Sequence, residues 1–144
     1  MNFFKPKAVW SEEYSIGIAV VDLQHRQLFK LLGKVHALVK LEPAQALKAL
    51  PDLLNQLNEY AAYHFMTEES LIKKYLPADD DMVAHMAAHR VYWQRIVEFK
   101  ERLARHDIEV VVALMEFLDT WWSDHILKSD RELGAKLRQQ HGLS

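Results

Sequence analysis

The residues able to do chemistry in this chain fall at short, regular spacings. His64 precedes Glu68 by four residues, His85 precedes His89 by four, His125 precedes Asp130 by five, and His25 stands alone. Side chains four apart on an α-helix share one face about one turn apart, so such pairs can grip a common ion. Zero cysteine among 144 residues excludes thiolate zinc sites, thiolate-held iron–sulfur clusters, disulfides and a cysteine nucleophile. Eight histidines make imidazole nitrogen and carboxylate oxygen the donors on which a metal site here would rely.

These residues sit where apolar ones belong. Stripes at three- and four-residue spacing predict four helices. The first runs from Asp22 to about Leu41 through Leu28, Leu31, Leu32, Val35, Leu38 and Val39. The second runs from about Ala44 to Tyr75, with Pro51 either kinking it or marking a start near Leu50. An aspartate cap within Asp79-Asp80-Asp81 opens the third, whose stripe is Met82, His85, His89, Tyr92, Ile96, Phe99 and Leu103. His106-Asp107 caps the fourth, with Ile108, Val111, Met115, Leu118, Trp122 and His125 inward. Short connections predict an all-α fold, an up-down-up-down antiparallel four-helix bundle. One domain, 1–144, is expected: an extended N-terminal arm over 1–21 bearing Phe3, Phe4, Trp10 and Tyr14, the bundle over 22–128, and a short helical C-terminal tail over 129–144.

In that topology His25, His64, Glu68, His85, His89 and His125 lie toward one end of the bundle and point inward. A buried polar group without a partner costs on the order of 1–3 kcal/mol, so the six must satisfy one another or share a ligand. Five imidazoles and a carboxylate exceed what one zinc ion takes and suffice for two metals; the donor set suits iron, manganese or zinc. A carboxylate is the usual bridge between two ions in a bundle core, and Asp130 is the candidate for a second. Five residues correspond to about 140° on a regular helix, so Asp130 joins only if the fourth helix ends or bends near Lys128. His36, His106 and His141 are read as ordinary histidines; His36 lies roughly 16 Å along the first helix from His25. Asp22, Glu69 and Asp124 are candidates to orient a ligating imidazole, with a cap for the first helix as the other reading of Asp22.

The series Val21-Asp22-Leu23-Gln24-His25, His64-Phe65-Met66-Thr67-Glu68-Glu69, His85-Met86-Ala87-Ala88-His89 and His125-Ile126-Leu127-Lys128-Ser129-Asp130 resembles the hemerythrin family, in particular its single-domain bacterial members. Trp10-Ser-Glu-Glu-Tyr-Ser-Ile-Gly-Ile18 is similar to that family's N-terminal arm. The resemblance implies two iron ions joined by an oxo or hydroxo bridge. His85, His89 and His125 would hold one, His25 and His64 the other, with Glu68 and Asp130 bridging. That leaves the His25/His64 iron one position short, where dioxygen would bind end-on. Leu28, Phe29, Leu32, Phe65, Trp121, Trp122 and Ile126 are candidate walls of an apolar pocket.

The function implied is reversible dioxygen binding for storage, delivery or scavenging rather than catalysis. The alternatives are an oxygen, redox or iron sensor acting through a partner, a di-iron oxidase or peroxidase, and a structural bundle with an incidental metal. No histidine has a glutamate three residues before it, as the paired Glu-x-x-His motifs of oxidative di-iron carboxylate proteins require. A net charge of −2 gives no basic excess for nucleic acid. No apolar run is long enough to span a membrane, and no secretory signal or linker to an output domain is evident, so a cytoplasmic protein is expected. An oxygen-consuming client enzyme is a candidate partner, and oligomeric state is open.

Overall fold

A computed structural model describes residues 9–144. Four long helices, α1 (Ala19–Val39), α2 (Pro43–Tyr75), α3 (Asp80–Ala104) and α4 (Val110–His125), form the bundle, and α5 (Arg131–His141) closes the chain. Each long helix packs on the next and α1 also packs on α4, so the four enclose one core. Leu28, Leu32, Val35, Leu50, Leu57, Ile96, Leu114 and Leu118 fill its middle and are almost wholly buried. No strand occurs among the described residues.

The arm is shorter and less extended than its sequence suggests. Phe3 and Phe4 lie outside the described residues. Glu12–Tyr14 form a single 3₁₀ turn, and helix begins at Ala19, three residues before Asp22. Asp22 therefore does not cap α1. Its carboxylate folds back over the arm, accepting from Ser15 Oγ at 2.7 Å and from the backbone N–H of Ile16 at 2.8 Å. Gly17, at φ 78°, turns the chain between arm and helix in a region that side-chain-bearing residues avoid.

Helix α2 starts at Pro43, in the first turn where proline is tolerated, and runs unbroken past Pro51. Pro51 lies on the exposed face, where water can serve the carbonyl it leaves without a donor. Asp79 caps α3 as expected, accepting from Asp81 N at 2.9 Å. The start of α4 is two residues later than its sequence suggests. His106 takes a left-handed conformation, Asp107 accepts from Glu109 N at 3.0 Å, and Ile108 is left exposed outside the helix.

The end of α4 matters most. From Ile126 to Asp130 the helix widens into a π turn before resuming as α5. The short helical tail is thus three turns of helix. Gly134 lets α5 approach the arm closely, since a Cβ there would collide with the carbonyl oxygen of Ile16. Lys136 ties α5 to the α2–α3 connection through Asp79 at 2.7 Å and Asp81 at 2.8 Å.

Candidate metal centre

Antiparallel packing brings the start of α1, the end of α2, the start of α3 and the end of α4 to one end of the bundle. His25, His64, Glu68, His85, His89, His125 and Asp130 meet there and are at most 5% exposed. They sort into two groups sharing Glu68: His85, His89 and His125 on one side, His25, His64 and Asp130 on the other, with the potential ligand atoms of each group within 4.8 Å of one another. The π turn brings Asp130 in. A π turn closes i to i+5, so five residues bring the chain back near its starting direction instead of about 140° away.

Asp130 faces both groups. Its Oδ2 lies 2.9 Å from His25 Nε2, and its Oδ1 lies 3.1 Å from His125 Nε2 and 3.2 Å from His85 Nε2. Glu68 Oε1 is 3.2 Å from His89 Nε2, 3.4 Å from His85 Nε2 and 3.6 Å from His64 Nε2. Across each group the imidazoles also meet, His25 Nε2 to His64 Nε2 at 3.1 Å and His89 Nε2 to His125 Nε2 at 3.2 Å.

Two of the five rings have a fixed tautomer. Thr67 donates to the carbonyl of Tyr63 at 3.1 Å, so it can only accept from Gln24 Nε2, at 3.0 Å. This turns the Gln24 carbonyl toward His64, whose Nδ1–H donates to it at 2.8 Å. His89 Nδ1–H donates to Glu69 at 2.9 Å. With Nδ1 carrying the proton, the other nitrogen, Nε2, is the one each ring can turn into the cluster as a ligand.

Those Nε2 atoms face Glu68 Oε1, a carboxylate oxygen that has no proton to give them. Glu68 Oε2 and both oxygens of Asp130 are buried without a hydrogen bond, as are Nδ1 of His25 and of His85. The short N···O distances around Asp130 lack hydrogen-bond direction, as expected of groups aimed at a common third point. Donors about 2.1 Å from an ion and at right angles are about 3.0 Å apart, close to the spacings found here. The residues fit a pair of cations.

Titration in the metal-free cluster follows the same crowding. Burial dominates at His64 and pushes its imidazole down to about 4. For Glu68, burial and the Asp130 charge act upward, but His64, His85 and His89 outweigh them and hold it down at about 2. His85 moves the other way: against burial, Asp130 and Glu68 pull it up to about 10. Burial would raise Asp130 too, yet His125, His25 and His85 hold it well below the usual carboxylate range.

A family model described as Hemerythrin HHE cation binding domain matches residues 16–137. The chain belongs to the hemerythrin family. It is 29% identical to a bacteriohemerythrin of Clostridium acetobutylicum over 126 residues, covering 86% of this chain and 96% of that one. A bacteriohemerythrin of Stenotrophomonas maltophilia is 26% identical, covering 90% of this chain and 81% of its own. One of Methylococcus capsulatus is 26% identical, with 87% and 92% covered.

Around this hemerythrin-type cluster the surroundings divide. Glu69 orients His89, but Asp124 is exposed and Asp22 serves the arm. Gln24 escaped the sequence reading although it carries a signal: a glutamine in the same stripe as Leu28 and Leu31, and 3% exposed. Phe65 stacks on His89 with ring centroids 3.9 Å apart, and Trp121 stacks on His125 at 4.4 Å. Trp122 lies 5.8 Å from His64. Leu28, Leu32 and Ile126 are buried core, while Phe29 packs against Tyr14 of the arm. His36 pairs with Asp119 of α4 at 2.7 Å, and His141 packs on Tyr75.

Proposed function

We propose that this chain binds dioxygen reversibly at a pair of iron ions, for storage, delivery or scavenging. The observation that supports it is the unequal division of histidines, three on one side and two on the other, around shared carboxylates. Glu68, Asp130 and an oxo or hydroxo group would serve both irons, and His85, His89 and His125 would then complete six ligands on one. His25 and His64 would complete only five on the other. When bound, the iron pair supplies an open coordination position and two reversible electrons for dioxygen.

The chain's own residues do the rest. Gln24 and Glu69 hold the Nδ1 protons of His64 and His89 and so aim Nε2 at the ions. Phe65 and Trp122 place apolar rings beside these histidines, withholding water and protons from what binds there. Reversibility needs this restraint, which a general acid would undo. The imidazole-rich donor set favours binding over oxidative catalysis, so we read the protein as a carrier rather than an enzyme. We take residues 1–144 as one such domain, acting in the cytoplasm and handing oxygen to an oxygen-consuming enzyme or removing it.

The test is direct. Anaerobic protein loaded with ferrous iron is exposed to oxygen and then deoxygenated while the visible ligand-to-iron charge-transfer band is followed. Two irons per chain and a band that appears and disappears with oxygen are expected. Irreversible oxidation, or uptake of fewer than two irons, would overturn the proposal.

A further inference from the structure

Among the described residues, only one ring stacked on the cluster also reaches the surface. Phe65 lies on His89 but is 3% exposed. Trp121, four residues before His125 on α4, lies nearly parallel to its imidazole, at 14° and 4.4 Å between centroids, and is partly exposed. Its outer edge lines an open groove of about 610 Å³ between α3 and α4. Tyr92 touches Trp121 from the core side, at 4.6 Å, but is fully buried and stacks on no histidine of the cluster.

We propose that Trp121 is the coupling residue through which electrons enter the metal centre from this groove. The proposal rests on the iron-pair reading above. An oxygen carrier that lets its irons oxidise is inactive until they are reduced, and of the cluster only His125, itself 5% exposed, lines the same groove, so Trp121 offers a donor far more surface than any candidate ligand. Electronic coupling falls steeply with distance through aliphatic packing and less steeply through π systems in van der Waals contact. A one-electron donor against the outer face of Trp121 would be separated from His125 by a single indole.

The step balances simply. The donor loses one electron, one Fe(III) becomes Fe(II), and two donors restore the pair; no bond to Trp121 forms or breaks. The groove carries Arg95, Arg102 and Lys128 together with Glu116 and Asp124, so its mixed charge does not select the donor's sign. The route should therefore serve cationic and anionic reductants alike.

The test uses iron-loaded, air-oxidised protein mixed anaerobically with hexaammineruthenium(II) or with reduced riboflavin 5′-phosphate, following loss of ferric absorption. Trp121→Leu should slow reduction by both donors by about tenfold or more, the equivalent of roughly 1.4 kcal/mol at the barrier. Trp121→Phe, which keeps a stacked ring, should recover most of the rate. Trp93→Phe, whose ring meets Phe65 and Tyr92 nearly at right angles and stacks on no histidine of the cluster, should reduce like the parent. Azide entry into the oxidised protein provides a second readout that does not involve electron transfer.

If Trp121 merely covers the cluster, Trp121→Leu opens it, and both azide entry and reduction accelerate. That result, or reduction of Trp121→Leu at the parent rate, overturns the electron route while leaving the oxygen-binding reading intact. Failure of the parent to load an iron pair overturns both.

Discussion

The Nδ1–H of His64 donates to Oε1 of Gln24 over 2.8 Å, and this bond decides which nitrogen His64 presents to the cluster. Losing such a partner typically costs about 10–100-fold in metal affinity, because the ring regains its second tautomer and its freedom to turn. Gln24→Leu should weaken metal binding by about that factor while Gln24→Glu, which keeps an acceptor at the same reach, should not. Competition against a chelator of known affinity measures the difference. Equal affinity for parent and leucine variant would show that packing alone orients His64.

Glu68 is the side chain common to both groups of potential ligands. Glu68→Ala should therefore prevent assembly of the pair, leaving one metal or none, rather than lower the affinity of two intact sites. Metal analysis of the loaded variant, with circular dichroism to confirm the bundle, separates these outcomes. Two tightly held metals in the variant would mean that Glu68 is not a bridge.

How much of this was visible in the residues follows from how local each feature is. His64 and Glu68, or His85 and His89, declare themselves through helical phase, which depends only on near neighbours in sequence. Asp130 could be read only conditionally. Ile126-Leu127-Lys128-Ser129 contains no proline or glycine to announce the π turn that brings it inward. Gln24 was missed because its role depends on Thr67 and His64, about forty positions away in the chain. The aspartate at 22 was misplaced for a similar reason: a cap for a helix start and a clasp for a preceding arm use the same residue. Ile108 shows the limit of periodicity at an end, where turn geometry overrides the stripe.

Gly134 sits where α5 crosses the arm, and the space for a methyl group is occupied by the backbone of Ile16. Gly134→Ala must push these segments apart, because a carbonyl cannot rotate away as a side chain can. Overpacking of this kind costs about 1–3 kcal/mol. Thermal unfolding of the metal-free protein should show a corresponding loss. An unchanged midpoint would mean that α5 is less firmly seated than this crossing implies.

Acid should loosen the same helix from its other side. The ammonium of Lys136 donates to Asp79 and, aided by the N–H of Asp81, holds the Asp79 carboxyl below the usual carboxylate range. Because the folded value is depressed, the unfolded chain binds this proton more readily. The contribution is complete above the ordinary carboxylate value and is lost as pH falls through the lowered one. Lys136→Met should shift the Asp79 titration upward and leave α5 without this tie at any pH, so that its amide exchange is already faster than the parent's where Asp79 is ionised. Titrating the Asp79 carboxyl by NMR in both proteins checks the sign, and coincident curves would remove Lys136 as the cause.

The π turn offers a test of register that leaves every candidate ligand in place. Five residues separate His125 from Asp130, and the widened turn absorbs the one that a regular helix could not accommodate. Deleting the exposed Lys128 leaves four, the spacing at which a plain α-helix returns side chains to one face. The shortened chain should therefore keep its carboxylate in the cluster and retain the parent metal stoichiometry, with the π turn replaced by α-helix. Inserting an alanine after Lys128 instead should rotate the carboxylate by about 100° and abolish binding of the second metal. Metal content of the two variants decides the matter. Loss of the second metal on deletion would mean that the site needs the π geometry itself and not merely the direction it gives Asp130.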